Sequence, residues 1–180
     1  KVILPVHLNG RAVDMNKINT LAKKYNLFVI EDACQAIFSK NKDGGFLGTC
    51  SNIGSFSLGM SKLLSMGYGG FNVCHTREIY EKMKKLRNHG STEFYLHESF
   101  GFNFKVSDLS SALCRVQLSK ASQKIENVLH IYKIYKKALA QFDFLHLIEV
   151  DIKKGELPLY IEVLCEQREK LIKYLSSHHI

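Results

Sequence analysis

The chain has 180 residues, 46% of them hydrophobic and only two of them proline, and this composition excludes a disordered chain and suits one substantial domain with a buried core. A net charge of +8 would suit a nucleic-acid-binding protein, but the lysines lie mainly along predicted helices. Solvated helix faces explain that charge, so we expect no nucleic-acid partner. The apolar runs are too short to cross a bilayer, and the five cysteines form no CxxC pair. We therefore expect a cytoplasmic protein with reduced thiols, no membrane contact and no metal site.

A strand–helix–strand unit opens the chain. One strand is predicted over residues 2–6, and Asp14 is placed to cap the helix that follows. The apolar positions of that helix are Ile18, Leu21, Ala22 and Tyr25. The run 27–30 predicts a second strand, parallel to the first, buried on both faces and ending at Asp32. Asp32 should thus lie at the carboxyl edge of an open α/β sheet, where such sheets bind ligands.

A loop rich in serine and glycine joins the next two predicted strands, 53–57 and 70–74, and contains one lysine, Lys62. A lysine among small residues suits an amine that loses its proton and forms a Schiff base with a carbonyl. The competing interpretation is an ordinary solvated loop lysine. Asp32 favours the catalytic interpretation, because a carboxylate at that edge can pair with a protonated pyridine nitrogen.

The rest of the chain alternates helices with less regular segments. A helix over 76–86 is expected to bury Ile79, Met83 and Leu86. Residues 88–104 lose periodicity and read as an ordered, aromatic-rich loop suited to an interface. Ser107 should cap a helix carrying Leu109, Ala112, Leu113 and Val116, and a longer helix follows with its apolar stripe from Ile125 to Leu139. Two strands, 144–148 and 157–164, and a helix over 166–175 complete the chain.

Five motifs, in this order, resemble the DegT/DnrJ-type sugar aminotransferases, a branch of the aspartate-aminotransferase fold. They are PVHLNG at 5–10, EDACQA at 31–36, SFSLGMSKLLSMGYGG at 55–70, LRNHG at 86–90 and GFNFKVSDLSSAL at 101–113. Each motif alone would be a weak signal, but together they cover most of residues 5–120.

The resemblance implies the fold and the domain boundaries. It implies an α/β fold in which a mostly parallel mixed sheet is flanked by helices, as in the large domain of transferases that depend on pyridoxal 5'-phosphate (PLP). Part of this large domain would occupy residues 1–120, a long connecting helix 121–142, and the beginning of a small α+β C-terminal domain 143–180. Family members are longer, so we expect a fragment that lacks the N-terminal part, with its phosphate-binding loop, and most of the C-terminal domain.

The resemblance also implies the cofactor-binding residues. Lys62 would carry PLP as an internal aldimine and then move the proton during transamination. Asp32 would pair with the pyridine nitrogen, and Gln35 would contact the ring or its phenolic oxygen. Ser57 would donate a hydrogen bond to the phosphate.

One further residue concerns assembly. Asn103 matches an asparagine that the family contributes to the phosphate of a neighbouring subunit, so the resemblance implies a homodimer with shared active sites. His89 and His97 lie in matching motifs, but no role is assigned to either.

The implied function is PLP-dependent transfer of an amino group, from glutamate, to a keto group of a nucleotide-linked deoxysugar. A dehydratase branch of the family replaces the lysine by histidine, and Lys62 argues against it. A non-catalytic or regulatory protein of this fold, or an inactive fragment, is the alternative from another class. A nucleotide-binding doubly wound domain would require a GxGxxG turn after the first strand, and the sequence has none there.

Overall fold

The computed structural model describes residues 1–93 and 96–180. In chain order its strands are β1 (Val2–Ile3), β2 (Phe28–Asp32), β3 (Ile53–Ser57), β4 (Gly70–Cys74), β5 (Ser91–Glu93), β6 (Leu96–His97), β7 (Leu145–Leu147) and β8 (Val163–Cys165). Its helices are α1 (Met15–Tyr25), α2 (Arg77–Arg87), α3 (Asp108–Ser119), α4 (Ala121–Leu139) and α5 (Arg168–Ser177). Within these residues, no helix is both long enough and apolar enough to span a membrane.

Four strands form one mixed sheet in the order β1-β2-β3-β4. The first three run parallel, and β4 returns antiparallel to β3. The predicted α/β architecture, a mostly parallel sheet flanked by helices, is therefore confirmed. The first strand is shorter than predicted because Pro5 has no N–H to donate, and Val6 beyond it forms an isolated bridge to Asp32.

Helix α1 begins where the sequence predicts, with the Asp14 side chain accepting a hydrogen bond from a first-turn amide. The core residues at its interface with the sheet are Met15, Ala22 and Val29. Leu21 and Tyr25, which were expected on the buried face, are 47% and 59% exposed. The buried face is instead turned toward Met15, because Met15, Ile18 and Ala22 are the positions that reach β2.

Two further helices bury less than their apolar patterns predict. Leu86 of α2 is exposed, while Ile79 and Met83 are half-buried. On α3, Ser107 caps the helix as predicted, but Leu109, Leu113 and Val116 are all exposed. An apolar stripe predicts a face that is covered by something, and on α3 nothing in the described part of the chain covers it.

The segment 88–104 is more regular than the predicted loop. It contains the antiparallel strand pair β5–β6, and Asn103 bridges back to Asn88 at the end of α2. Phe100 and Phe104 are exposed, while Phe94 and Tyr95, which belong to the predicted aromatic group, lie outside the described residues. The prediction of a loop was wrong in part, because two short strands without apolar alternation left no periodic signal.

Hydrogen bonds connect residues 143–180, the C-terminal part, to the part of the chain that precedes them. Strands β7 and β8 pair antiparallel, and the Tyr132 hydroxyl of α4 accepts a hydrogen bond from the Val150 amide. The strand predicted over 157–164 forms only from Val163. Residues 157–162 instead run irregularly beside Asn9 and Ser39, which bind the backbone groups that a strand would have paired.

Candidate active site

Strands β2 and β3 bring Asp32 and the serines of β3 to one edge of the sheet. Asp32 is in register with Ser55, and its Oδ1 accepts a hydrogen bond from the Cys34 amide at 3.0 Å. The bond orients the carboxylate at the turn that follows the strand. Asp32 is half-buried, so one end of the carboxylate is held while the group stays accessible to a ligand.

Lys62 follows β3 in a loop whose first turn is closed by hydrogen bonds. The Gly59 amide donates to Oγ of Ser57 at 3.2 Å, and the Lys62 amide donates to the Gly59 carbonyl at 3.1 Å. Ser57 and Lys62 are therefore held one turn apart. The hydroxyl proton of Ser57 is left to donate elsewhere, because Oγ acts here only as an acceptor.

Apolar packing holds the rest of this loop in place. Leu58, Leu64 and Met66 are at most 5% exposed and pack together against residues that include Cys114 and Ala121 of the helical region. The ammonium group of Lys124, on α4, donates to the Leu63 carbonyl at 3.2 Å. The backbone on both sides of Lys62 is thus fixed, which limits where its amine can reach.

A narrow cavity of about 10 Å³, roughly one water in size, lies beside Lys62. Its lining includes Cys34 and Gln35 from the turn after β2, and Leu157, Pro158 and Leu159 from the C-terminal part. Burial, a hydrogen bond to Asp32 and the charge of Asp32 together raise the pKa of the Cys34 thiol to about 11, and the positive charge of Lys62 acts in the opposite direction. The Cys34 thiol therefore stays protonated near neutral pH.

A buried acid–histidine pair lies directly behind this edge. Glu31 and His7 are both 0% exposed, and His7 Nε2 donates to the Glu31 carboxylate at 2.9 Å. His7 Nδ1 accepts from the Val13 amide, which makes Nε2 the protonated nitrogen of the neutral ring. Burial raises the pKa of Glu31, but hydrogen bonds from donors that include His7 and the amides of residues 50 and 48 outweigh it and lower that pKa below its ordinary value. The pair fixes the backbone immediately before Asp32.

The structure brings Asp32, Gln35, Ser57 and Lys62 into one region but places Asn103 elsewhere. Asn103 is exposed and bridges Asn88, and within the described ranges no hydrogen bond joins it to the other four. Its expected reach into a second subunit stays a prediction. His89 has a left-handed backbone (φ 55°), and its carbonyl accepts a hydrogen bond from Nδ1 of His97. Both histidines therefore have a structural contact.

The donor set at this edge fits PLP. A primary amine suits covalent attachment, a strand-end carboxylate suits the pyridine nitrogen, and a serine hydroxyl suits a phosphate. Gln35 lines the narrow cavity beside Lys62 as well, and its side-chain amide is a group that can donate to a ring substituent. No group of three or more histidine, cysteine or acidic residues in the part described is placed to hold a metal ion.

The sequence of the chain matches that of a known family. The model of the DegT/DnrJ/EryC1/StrS aminotransferase family matches residues 1–180. The chain belongs to this family. A GDP-perosamine synthase from Escherichia coli O157:H7 is 32% identical over 180 residues, which cover 98% of this chain and 49% of that protein.

Two further family relatives agree with this assignment. A UDP-N-acetyl-3-dehydro-alpha-D-glucosamine 3-aminotransferase from Acidithiobacillus ferrooxidans is 35% identical over 159 residues, 88% of this chain and 41% of that protein. The crystal structure of a DegT/DnrJ/EryC1/StrS aminotransferase from Brucella abortus superposes with a TM-score of 0.90 at 26% identity and covers 100% of this chain and 48% of that one. The chain therefore has the aminotransferase fold and spans about half the length of these relatives.

Sequence reasoning missed three contributors to the site. Cys34 lies within a motif that matches the family, yet its side chain was given no role. Leu157 and its two successors lie some 95 residues after Lys62, and no local pattern links them to it. Asn9 carried a signal, since the pair Asn9–Gly10 favours left-handed backbone, but the sequence does not name its partner.

Proposed function

We propose that the protein containing this chain is a PLP-dependent aminotransferase that moves an amino group, from glutamate, to a keto group of a nucleotide-linked deoxysugar. The observation that carries the proposal is the placing of Asp32, Ser57 and Lys62 at one edge of the sheet. Asp32 ends β2 in register with Ser55, Lys62 follows Ser57 in the closed turn after β3, and Lys62 lines one cavity with Gln35. The names of the two relatives support the substrate class, since one concerns a GDP-linked and the other a UDP-linked sugar.

PLP, when bound, supplies an electron sink that stabilises negative charge next to the amino group being transferred. The residues of this chain would bind PLP and would donate, accept or retain protons. Asp32 would keep a proton on the pyridine nitrogen. Ser57 would donate its hydroxyl proton to the phosphate, and Gln35 would donate from its amide to the ring or its phenolic oxygen.

Lys62 would have two roles. Its amine would attach the cofactor covalently and, once freed by substrate, would carry the proton between the donor carbon and the cofactor. The closed turn at Gly59 and the buried side chains on the other side, Leu64 and Met66, hold the backbone of Lys62 and so limit where its amine can reach. A restricted amine suits proton transfer, because the donor and acceptor atoms must stay within hydrogen-bond distance.

We further infer a two-fold homodimer in which Asn103 of each subunit serves the other subunit's site. Exposed apolar side chains at Phe100 and Phe104 and on α3 support this assembly, because a monomer rarely leaves such a surface uncovered. A second copy of the chain is the partner that two-fold symmetry favours.

Covalent labelling tests the proposal. The whole protein is incubated with PLP, reduced with borohydride and digested, and the modified peptide is mapped. We expect the label on Lys62, none in Lys62→Ala, and full labelling in Lys124→Ala, a matched control whose amine contacts the same loop. Label on another lysine, with Lys62→Ala unaffected, would contradict the site. No label would favour the non-catalytic alternative.

A further inference from the structure

One wall of the Lys62 cavity comes from the far end of the chain. Residues 157–159 line it together with Cys34 and Gln35. The amide of Leu157 donates to Ser39 Oγ at 3.1 Å, and the Gly155 carbonyl accepts from the amide of residue 40 at 2.9 Å. These bonds attach the segment 155–162 to the first part of the chain, and we call its residues 157–160 the wall.

The side chain of Asn9 forms hydrogen bonds with the backbone of this wall and with the side chain of Glu162. Its Oδ1 accepts from the Tyr160 amide at 2.6 Å, and its Nδ2 donates to the Tyr160 carbonyl at 2.9 Å and to Glu162 Oε2 at 2.7 Å. A backbone N–H can only donate, so the oxygen of the Asn9 amide must face it and the nitrogen must face the two acceptors. Asn9 is 1% exposed, which shields all three bonds from water.

The backbone conformation at residues 9 and 10 allows the wall to pack closely against them. Asn9 and Gly10 both have left-handed backbone, with φ of 52° and 77°. A Cβ at Gly10 would lie 1.9 Å from the Leu157 carbonyl oxygen, so only glycine admits the wall at this point. Asparagine is among the residues that tolerate a left-handed conformation, and it adds the amide that glycine lacks.

The same residue also orients a proposed cofactor ligand. The backbone amide of Asn9 donates to Oε1 of Gln35 at 2.9 Å. Because the oxygen of Gln35 is engaged, its NH2 group is the end left to act in the cavity that Gln35 lines. Asn9 therefore holds the wall through its side chain and fixes the orientation of the Gln35 amide through its backbone.

We propose that Asn9 is a positioning residue of the active site, which holds the wall against the Lys62 cavity through its side chain and turns the NH2 of Gln35 into that cavity through its backbone. Arg11 supports these hydrogen bonds, because its guanidinium pairs at 2.5 Å with the same Glu162 carboxylate that accepts from Asn9. The part concerning a bound ligand rests on the proposed function, whereas the part concerning the wall does not.

Alkylation of Cys34 tests the wall in protein without cofactor. The rate of reaction with N-ethylmaleimide is measured at Cys34 and, as an internal reference for global opening, at Cys74 in β4. Asn9→Gly keeps the left-handed backbone and the backbone amide that binds Gln35, but it removes the three side-chain hydrogen bonds to residues 160 and 162. We expect the Cys34-to-Cys74 rate ratio to rise about fivefold or more, the change expected from losing a single net hydrogen bond.

A charge swap supplies the matched control. Asn9→Asp places two carboxylates together and loses both hydrogen bonds that Nδ2 donates, to Glu162 and to the Tyr160 carbonyl, so it should also raise the ratio. Adding Glu162→Gln removes the repulsion between the carboxylates and restores one of these bonds with donor and acceptor exchanged. The double variant should recover part of the protection. An unchanged ratio in Asn9→Gly, or a double variant no better than Asn9→Asp, would overturn the proposal.

A second measurement separates positioning from general stability. In the whole protein, Asn9→Gly should raise the dissociation constant of PLP and the KM for the keto sugar about tenfold, with a smaller change in kcat, since ground-state contacts are what the wall provides. A lower melting temperature with PLP affinity and KM unchanged would show a merely structural role. If wild-type protein fails to label at Lys62, the proposed function fails, while the Cys34 ratio still decides whether Asn9 holds the wall.

Discussion

Replacing Glu31 by glutamine should destabilise the fold far more than the loss of one charge would suggest. The carboxylate accepts three hydrogen bonds, from His7 Nε2 and the Gly48 amide on Oε2 and from the Cys50 amide on Oε1. A glutamine has one oxygen and one NH2 group, so one end must face a donor with another donor. In the better orientation, the oxygen keeps His7 and Gly48, and the Cys50 amide loses its acceptor.

The magnitude follows from these contacts. A buried donor without a partner costs about 1–3 kcal/mol, and each remaining bond weakens when its acceptor becomes neutral. The sum is about 2–5 kcal/mol of unfolding free energy. Glu149→Gln is the matched control, because Glu149 pairs with Lys136 in solvent and should change stability by less than about 1 kcal/mol.

Equilibrium denaturation of the whole protein in urea, repeated across pH, is the assay. The pKa of Glu31 is lowered in the folded state, so its contribution is complete above its ordinary value of 4.5 and is lost as the pH falls through the lower folded value. The stability difference between wild type and Glu31→Gln should therefore narrow below pH 4.5. A variant as stable as Glu149→Gln at pH 7, or a difference that stays constant into acid, would refute the reasoning.

Three other predictions concern the site, the assembly and one helix. Asp32→Asn should keep its bond to the following turn and fold normally, yet slow single-turnover transamination with glutamate about a hundredfold or more; turnover at the wild-type rate would make Asp32 structural. Lys62→Ala and Asn103→Ala subunits, each first shown to be inactive, should recover about a quarter of wild-type sites when exchanged, because half of the dimers are mixed and each holds one intact site. Failure to recover, with exchange confirmed, would remove Asn103 from a shared site. Thr76→Ala should lower the unfolding free energy by about 1 kcal/mol through loss of the α2 cap, whereas the exposed Thr20→Ala should change it by less than about 0.5 kcal/mol; equal effects in urea denaturation would contradict the cap.

The sequence by itself determined the elements whose signals are local. Strands β3 and β4 have the predicted bounds, because each is a short run between turn residues, and the caps at Asp14 and Ser107 follow from side chains that bind amides of the same turn. The order of motifs also determined the family. It led to Asp32 and Lys62 together, since Asp32 ends β2 and Lys62 lies in the loop after β3, and these two strands are neighbours both along the chain and in the sheet.

Only the tertiary structure decided what packs across long separations. The apolar stripes of α1 and α3 predict a buried face, but which side chains are covered depends on the neighbour, and so Leu21 and Leu109 are exposed. The strand expected from residue 157 gave way to the wall because Asn9, about 150 residues earlier, binds its backbone. No local propensity encodes such a contact. Its free energy arises only when both segments are already folded into place, which is why the Lys62 cavity could not be drawn from the sequence.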